Sequence, residues 1–203
     1  PGIDTPAGFA RLWGTNCAGC HGANGDLGPA RPMRDPLYLA SVSDAELTSA
    51  IAEGSPAGTL MPAFAQHLGG ALSPPEIEAI VSGMRRAWGA PSAKPSPIPY
   101  SAPITAGQPA RGAAIFARSC TSCHAEGEVT DPFYLQLVSD QALRSAIIFG
   151  RPDLGKPGAA GPFPGRPSDE ALTPPDVDDL VAWLAQQRRE NWPPAGIRRG
   201  GRP

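Results

Sequence analysis

The sequence predicts an all-helical protein made of two similar halves, each of about three helices, joined by a proline-rich connector. Three observations carry that prediction. First, the chain repeats itself. "DPLYLASVSDAEL" at 35–47 returns as "DPFYLQLVSDQAL" at 131–143, and "LSPPEIEAIVSGM" at 72–84 returns as "LTPPDVDDLVAWL" at 172–184. Self-similarity over so long a period marks a duplicated structural unit. Second, apolar residues recur at helical spacing behind recognisable start signals. Third, no segment shows the alternation expected of a strand. A length of 203 residues suits two domains, each near the lower limit for a self-sufficient core.

The elements follow in order. An alanine-rich helix precedes the first cysteine of each half, with Trp13 four residues ahead of Cys17 and Phe116 four ahead of Cys120. That spacing puts aromatic and cysteine on one helical face. A middle helix starts at "SDAEL" and again at "SDQAL". Ser43 and Ser139 are its N-caps, and Glu46 completes a capping box in the first copy. A final helix starts at "SPPE" and "TPPD", capped by Ser73 or Thr173 with proline in its first turn. Ile77, Ile80, Val81 and Met84 form its apolar stripe, repeated as Val177, Leu180, Val181 and Leu184. Trp88 and Trp183 are placed to close each core against the first helix. Residues 89–110 read as an extended spacer. The boundary falls near residue 95, giving a first domain of 1–94 and a second of 95–203 that includes the linker and a basic tail. That tail, "NWPPAGIRRGGRP", reads as extended, either a disordered end or a docking segment.

Only 6% of residues are aromatic, against 24 glycines and 26 prolines, so halves this small need something besides side chains to fill their cores. The four cysteines supply the clue. They occur as "CAGCH" at 17–21 and "CTSCH" at 120–124, each pair followed at once by histidine. This is the spacing of c-type haem attachment, in which Cys17, Cys20, Cys120 and Cys123 would form thioethers and His21 and His124 would reach iron. A thioredoxin-like redox pair leaves both histidines unexplained. A shared zinc site leaves the common downstream pattern unexplained. Two haems are therefore expected, and with them an extracytoplasmic, periplasmic location. The chain opens with "PGIDTPAG" and holds no apolar run of about 20 residues. It is expected to be a mature or trimmed form, with an N-terminal membrane anchor left open. A net charge of −2 gives no reason to expect nucleic acid as a partner.

With helix, CxxCH, loop and final helix in this order twice over, the sequence resembles a tandem class I cytochrome c. The resemblance covers nearly the whole chain outside the linker and tail. It implies two cytochrome c-type domains, each built around a covalent haem c, with His21 and His124 as proximal ligands. It also implies a methionine from the loop before the last helix as the second axial ligand, and one-electron transfer between redox proteins as the function.

The distal positions differ between the halves. The methionines are Met33, Met61 and Met84. Met61, in "LMPAF", lies where the family places its ligand. Met33 lies on an earlier loop, and Met84 falls on the apolar stripe of the last helix. The second half has no methionine, and the one histidine outside the haem motifs, His67, is in the first half and reads as a surface group. The loops align at Gly54 and Gly150. Met61 follows its glycine by seven residues and Lys156 by six, and proline follows both. The stretch "GRPDLGKP" resembles "GRPDLGMP" of several multihaem cytochromes, with lysine in place of the ligating methionine. Of 17 basic residues only Lys94 and Lys156 are lysines. Arginine cannot offer a lone pair to a metal, whereas a buried lysine can. Lys156 is the expected ligand. A five-coordinate or water-bound iron, or another donor, is the alternative. An amine donor should hold the second haem at a lower potential than the first.

Two functions compete on this reading. The first is a dihaem carrier passing single electrons between a donor and an acceptor protein, as a free cytochrome or as a subunit docked to a membrane respiratory complex. The first half (1–94) carries six basic and eight acidic residues and the second eleven of each, so no strong basic docking face is expected. The second is a haem enzyme or small-ligand sensor using haem 2, with thiosulfate dehydrogenases and dihaem peroxidases as the comparison. All four cysteines are committed to attachment, which excludes a cysteine-ligated catalytic haem, and no acid–base cluster accompanies the second motif. Electron transfer is the expected function.

Overall fold

The computed structural model describes residues 2–54, 60–101, 107–124, 129–163 and 171–190. The expectation for the C-terminal tail concerns residues outside that set. Among the described residues the structure is helical, and the only β-type pairings are two isolated bridges, Ala65 with Leu72 and Arg151 with Lys156. Among the described residues no helix is long and apolar enough to cross a membrane.

The chain divides into two compact units. The first holds Pro1–Ala57, Met61–Tyr100 and also Phe149–Gly158; the second holds Gly58–Leu60, Ser101–Ile148 and Ala159–Pro203.

In the first unit, α1 (Pro6–Asn16) is capped by Thr5, whose side chain accepts from the Gly8 N–H. It leads into one further turn, α2 (Ala18–His21). A short α3 (Pro36–Ser41) precedes α4 (Asp44–Glu53), and α5 (Pro74–Trp88) closes the unit by packing on α1. The expected caps are present. Ser43 and Glu46 form a capping box, and the Glu76 carboxylate accepts from both the N–H and the hydroxyl of Ser73. The core is Leu12, Trp13, Leu39, Ile80 and Met84, so Met84 is a packing residue, as its place on the stripe implied. Trp88 meets Phe9 and Trp13 edge-on at 5.4 and 4.6 Å between ring centroids. Edge-to-face rings of this kind add attraction beyond their buried area.

In the second unit, α6 (Pro109–Ser119), α7 (Pro132–Leu137), α8 (Asp140–Phe149) and α9 (Pro174–Glu190) repeat the order, and α6 packs along α9. Thr173 and Asp176 exchange hydrogen bonds at the start of α9. Trp183 stacks at a tilt on Phe116, 4.7 Å between centroids. The helices α3 and α7 add to the three expected per half. Each begins at an Asp-Pro step, where Asp35 or Asp131 accepts from the backbone N–H groups ahead of it.

Both units tie their short helix to the last one through an arginine. The Arg85 guanidinium donates to the carbonyls of Leu39 and Val42 and pairs with Asp44 at 2.7 Å. Arg188 donates to the carbonyls of Leu135 and Val138, the matching residues of the repeat, and pairs with Asp140 at 2.6 Å. In repeat alignment the two arginines stand about one helical turn apart, so the same clamp is made from different columns of the sequence.

Candidate haem centres

Each cysteine–histidine motif forms one helical turn at the end of the unit's first helix. The N–H groups of Cys20 and His21 both donate to the Cys17 carbonyl, at 3.2 and 2.9 Å. Those of Cys123 and His124 do the same to Cys120, at 3.1 and 2.9 Å. A helical turn places residues i, i+3 and i+4 on one face. Two thiols and an imidazole are therefore presented together, twice, as a porphyrin with two vinyl groups and one iron requires. None of the four cysteines is paired in a disulfide.

The histidine of the first motif is oriented. Its Nδ1 lies 2.7 Å from the carbonyl oxygen of Arg31. Burial, the largest cause, pushes the imidazole below its ordinary pKa, and the charges of Arg31 and Arg151 push the same way against the Arg31 carbonyl. A neutral ring that donates from Nδ1 leaves the Nε2 lone pair for a metal, the arrangement by which second partners fix ligating histidines. The turn is braced by Trp13, whose indole N–H donates to the Gly22 carbonyl at 3.0 Å.

The competing chemistries fit less well. Burial, aided by Cys20, raises Cys17 to about 11, whereas a redox-active CxxC depends on a lowered thiol pKa. Among the described residues no three His, Cys, Asp or Glu side chains converge as a zinc site would need. The donor set fits covalent haem.

The distal candidates sit on comparable backbone. Met61 is half-buried on the loop between α4 and α5; Met33 is buried, and His67 is exposed on a 3-10 turn, Gln66–Leu68. Gly54 ends α4 at φ +73°, and a Cβ there would lie 2.6 Å from the Met61 carbonyl oxygen. Gly150 ends α8 at φ +67°, and a Cβ there would lie 2.4 Å from the Lys156 carbonyl oxygen. Only glycine combines that φ with so close an approach. Both loops therefore fold back onto their glycine at the same place, Met61-Pro62 in one and Lys156-Pro157 in the other. The second loop is tightened further. Arg151 and Lys156 exchange two backbone hydrogen bonds at 3.0 Å around a 3-10 turn, Pro152–Leu154, and Gly155 takes the left-handed conformation.

Lys156 is half-buried within the Phe149–Gly158 segment of the first unit, while His124 belongs to the second. Contacts inside the first unit hold that segment. The Phe149 ring meets Tyr38 edge-on at 5.3 Å, and the Arg31 guanidinium lies over both rings, 4.2 Å from Tyr38 and 4.7 Å from Phe149. Arg151 donates to the Gly28 carbonyl at 2.8 Å, and Asp153 accepts from the Leu27 N–H at 3.0 Å. Sequence reasoning missed Arg31, whose carbonyl orients His21 and whose guanidinium pairs with Asp35 at 2.8 Å. It also missed the brace supplied by Gly54 and Gly150, although it had aligned the two glycines.

A family model described as "Cytochrome C oxidase, cbb3-type, subunit III" matches the chain twice, over residues 4–82 and 107–184, with one CxxCH motif in each match. Among solved structures, a protein titled "KustC0563 c-type cytochrome" is 31% identical, with a TM-score of 0.34 over 40% of this chain and 98% of its own. Cytochrome cL from the marine methylotrophic bacterium Methylophaga aminisulfidivorans MPT is 29% identical, with a TM-score of 0.32 over 43% of this chain and 61% of its own. No curated protein matches.

Proposed function

The chain belongs to the cytochrome c family whose model is described as cbb3-type cytochrome c oxidase, subunit III, and from that premise we propose that it is an extracytoplasmic dihaem cytochrome passing single electrons between two redox proteins. The observation that carries this reading is the duplicated helical turn of Cys, Cys and His, with the first histidine's Nδ1 occupied by a backbone carbonyl. A covalently held haem supplies reversible one-electron chemistry at iron, and its potential follows its axial ligands. The chain's residues fix the geometry. Cys17 and Cys20 would hold haem 1 and Cys120 and Cys123 haem 2, in functional domains of 1–94 and 95–203, while His21 and His124 supply the proximal nitrogens.

Met61 would be the distal ligand in the first domain and Lys156 in the second. Thioether favours the reduced iron relative to an amine, so with these ligands the two haems would differ in potential, haem 2 being the lower. Held by these residues, each iron would have two protein donors and no position left for substrate, which would suit transfer rather than catalysis. The family description names an oxidase subunit, which makes a membrane oxidase the first partner class to test.

A spectroelectrochemical titration of the wild type and of Lys156→Met tests the reading. Two separated steps are expected, with the lower rising in the variant. An unmoved lower step removes Lys156 as a ligand. Rapid binding of cyanide or carbon monoxide by the wild type would favour the enzyme or sensor alternative.

A further inference from the structure

The two units solve the crossing of their first and last helices in opposite ways. In the first unit the bulky residue is on α1 and the small one on α5: a Cβ at Gly83 would lie 2.2 Å from the Phe9 ring. The corresponding positions of the second unit are Gly112 on α6 and Trp183 on α9, the reverse arrangement. A Cβ at Gly112 would lie 2.1 Å from the Asp179 carbonyl oxygen and 2.8 Å from the Trp183 Cβ. A second pair of positions is inverted in chemistry. The start of α1 is capped from within, by Thr5, and Ala79, the α5 position that aligns with Asp179 of α9, is buried. The start of α6 has Gln108 at the Thr5 position, and no side chain of its own caps it. Its cap comes from the last helix: Asp179, which replaces Ala79, accepts the Gln108 N–H at 2.6 Å. Asp179 is 3% exposed, and its second oxygen lies 3.3 Å from Nε of Arg111, where the first unit has Gly8.

We propose that these four positions form a helix-pairing code that makes α1 accept only α5 and α6 accept only α9. Exchanged pairing would set Phe9 against Trp183 in one crossing and leave Gly112 facing Gly83 in the other. The first overfills a close-packed contact and the second leaves a void, and both are destabilising. Exchange would also bury Asp179 against a helix start already capped by Thr5 and lacking an arginine at the Arg111 position, while leaving the α6 start opposite Ala79. A buried polar group deprived of its partner carries its full desolvation penalty. Size and charge thus reject the same wrong partners independently, as specificity built by exclusion requires. The need is physical. Tethering keeps the wrong helix at high effective concentration, and mispairing between repeats is a characteristic failure of duplicated chains.

The test uses the full-length holoprotein. Gly112→Phe and Trp183→Gly should each lower the melting temperature, and the double variant should lose less than the sum of the two, with part of the Gly112→Phe cost remaining because the Asp179 carbonyl oxygen lies 2.1 Å from the new Cβ. Adding Gln108→Thr and Asp179→Ala installs the first unit's code in the second. This quadruple variant should fold, yet on refolding from denaturant it should give a several-fold lower yield of native monomer than the wild type. The difference should appear as mispaired monomer and exchanged dimer on size-exclusion chromatography. If the quadruple variant does not fold, the reverse set in the first unit (Phe9→Gly, Gly83→Trp, Thr5→Gln and Ala79→Asp) makes the same reading. Refolding yields equal to wild type in a merged-code protein overturn the proposal. So does failure of both sets to fold, because the positions would then not be exchangeable as a code.

Discussion

Gly150→Ala is the sharpest probe of the distal loop in the second half. The substitution has two costs. Alanine at φ +67° sits in the left-handed region, which costs about 1–2 kcal/mol. Its Cβ would also lie 2.4 Å from the Lys156 carbonyl oxygen and 2.5 Å from the Pro157 carbonyl carbon. Both are backbone atoms, so the loop itself must move, at a further ~1–3 kcal/mol. Gly155→Ala is the control. Its φ of +74° carries the same strain, but a Cβ there meets nothing within 4 Å. If Lys156 binds iron, the proton competes with the metal for the amine, and acid releases the ligand. A loss of about 1.4 kcal/mol in the bound state raises the pH of release by about one unit. Gly155→Ala should therefore shift the acid transition of haem 2 upward by about one unit, and Gly150→Ala by about two or more. The assay is a pH titration of the haem 2 spectrum against the unshifted haem 1 bands. Equal shifts in the two variants would refute the role given to the Gly150 contact. Gly54→Ala should weaken the methionine-to-iron charge-transfer band instead, with no new acid transition, because a thioether does not take up a proton in this range.

Three further outcomes follow. The wild type should exceed its polypeptide mass by two haems, and a Cys120→Ala/Cys123→Ala double variant by one; intact-mass spectrometry reads both. Arg85→Ala and Arg188→Ala each delete charged donors to two carbonyls, so each should cost about 2–3 kcal/mol in denaturant unfolding, discounted for the partial exposure of both arginines. The Asp153 carboxyl is held below its ordinary pKa, first by its hydrogen bond from Arg151 and then by the Leu27 N–H against partial burial. A depressed folded-state pKa means a stabilisation present at neutral pH and lost as pH falls through the folded value. Asp153→Asn should therefore lower stability at pH 7 and flatten its decline in acid, as read by melting temperature against pH.

What was legible in the sequence was local. Ser43, Ser73 and Thr173 each sit one residue before their helix, and the cysteine–histidine spacing needs only a single turn to bring three ligating groups onto one face. The helices α3 and α7 were legible in principle, because Asp35-Pro36 and Asp131-Pro132 are cap-and-first-turn steps, but each helix has only six residues, too few to show a period. The Arg31 carbonyl was not legible, since every residue has a carbonyl and only the fold decides which one faces His21. Nor was the place of Phe149–Gly158. Repeat alignment assigns those residues to the second half, whereas Phe149, Arg151 and Asp153 find their partners at Tyr38, Gly28 and Leu27. Those contacts span more than a hundred residues of chain and leave no local pattern.

The frame around Lys156 bears on why a lysine stands there. A solvated surface lysine makes no demand on the backbone, and any loop serves it. Here the lysine's carbonyl is pressed against a left-handed glycine, proline follows it, and its backbone is paired to Arg151 in both directions. The first half uses the glycine and the proline in the same way around Met61. The second loop reaches its donor one residue sooner after the glycine. Lysine's amine lies two bonds farther along its side chain than methionine's sulfur, so a shorter loop and a longer side chain offset one another. A change confined to the donor atom would leave the glycine and proline in place and adjust reach, and those are the features this loop keeps and the one it alters. That pattern favours a ligand exchanged over a ligand lost, and under the proposed ligation one side chain would set the two haems apart in potential.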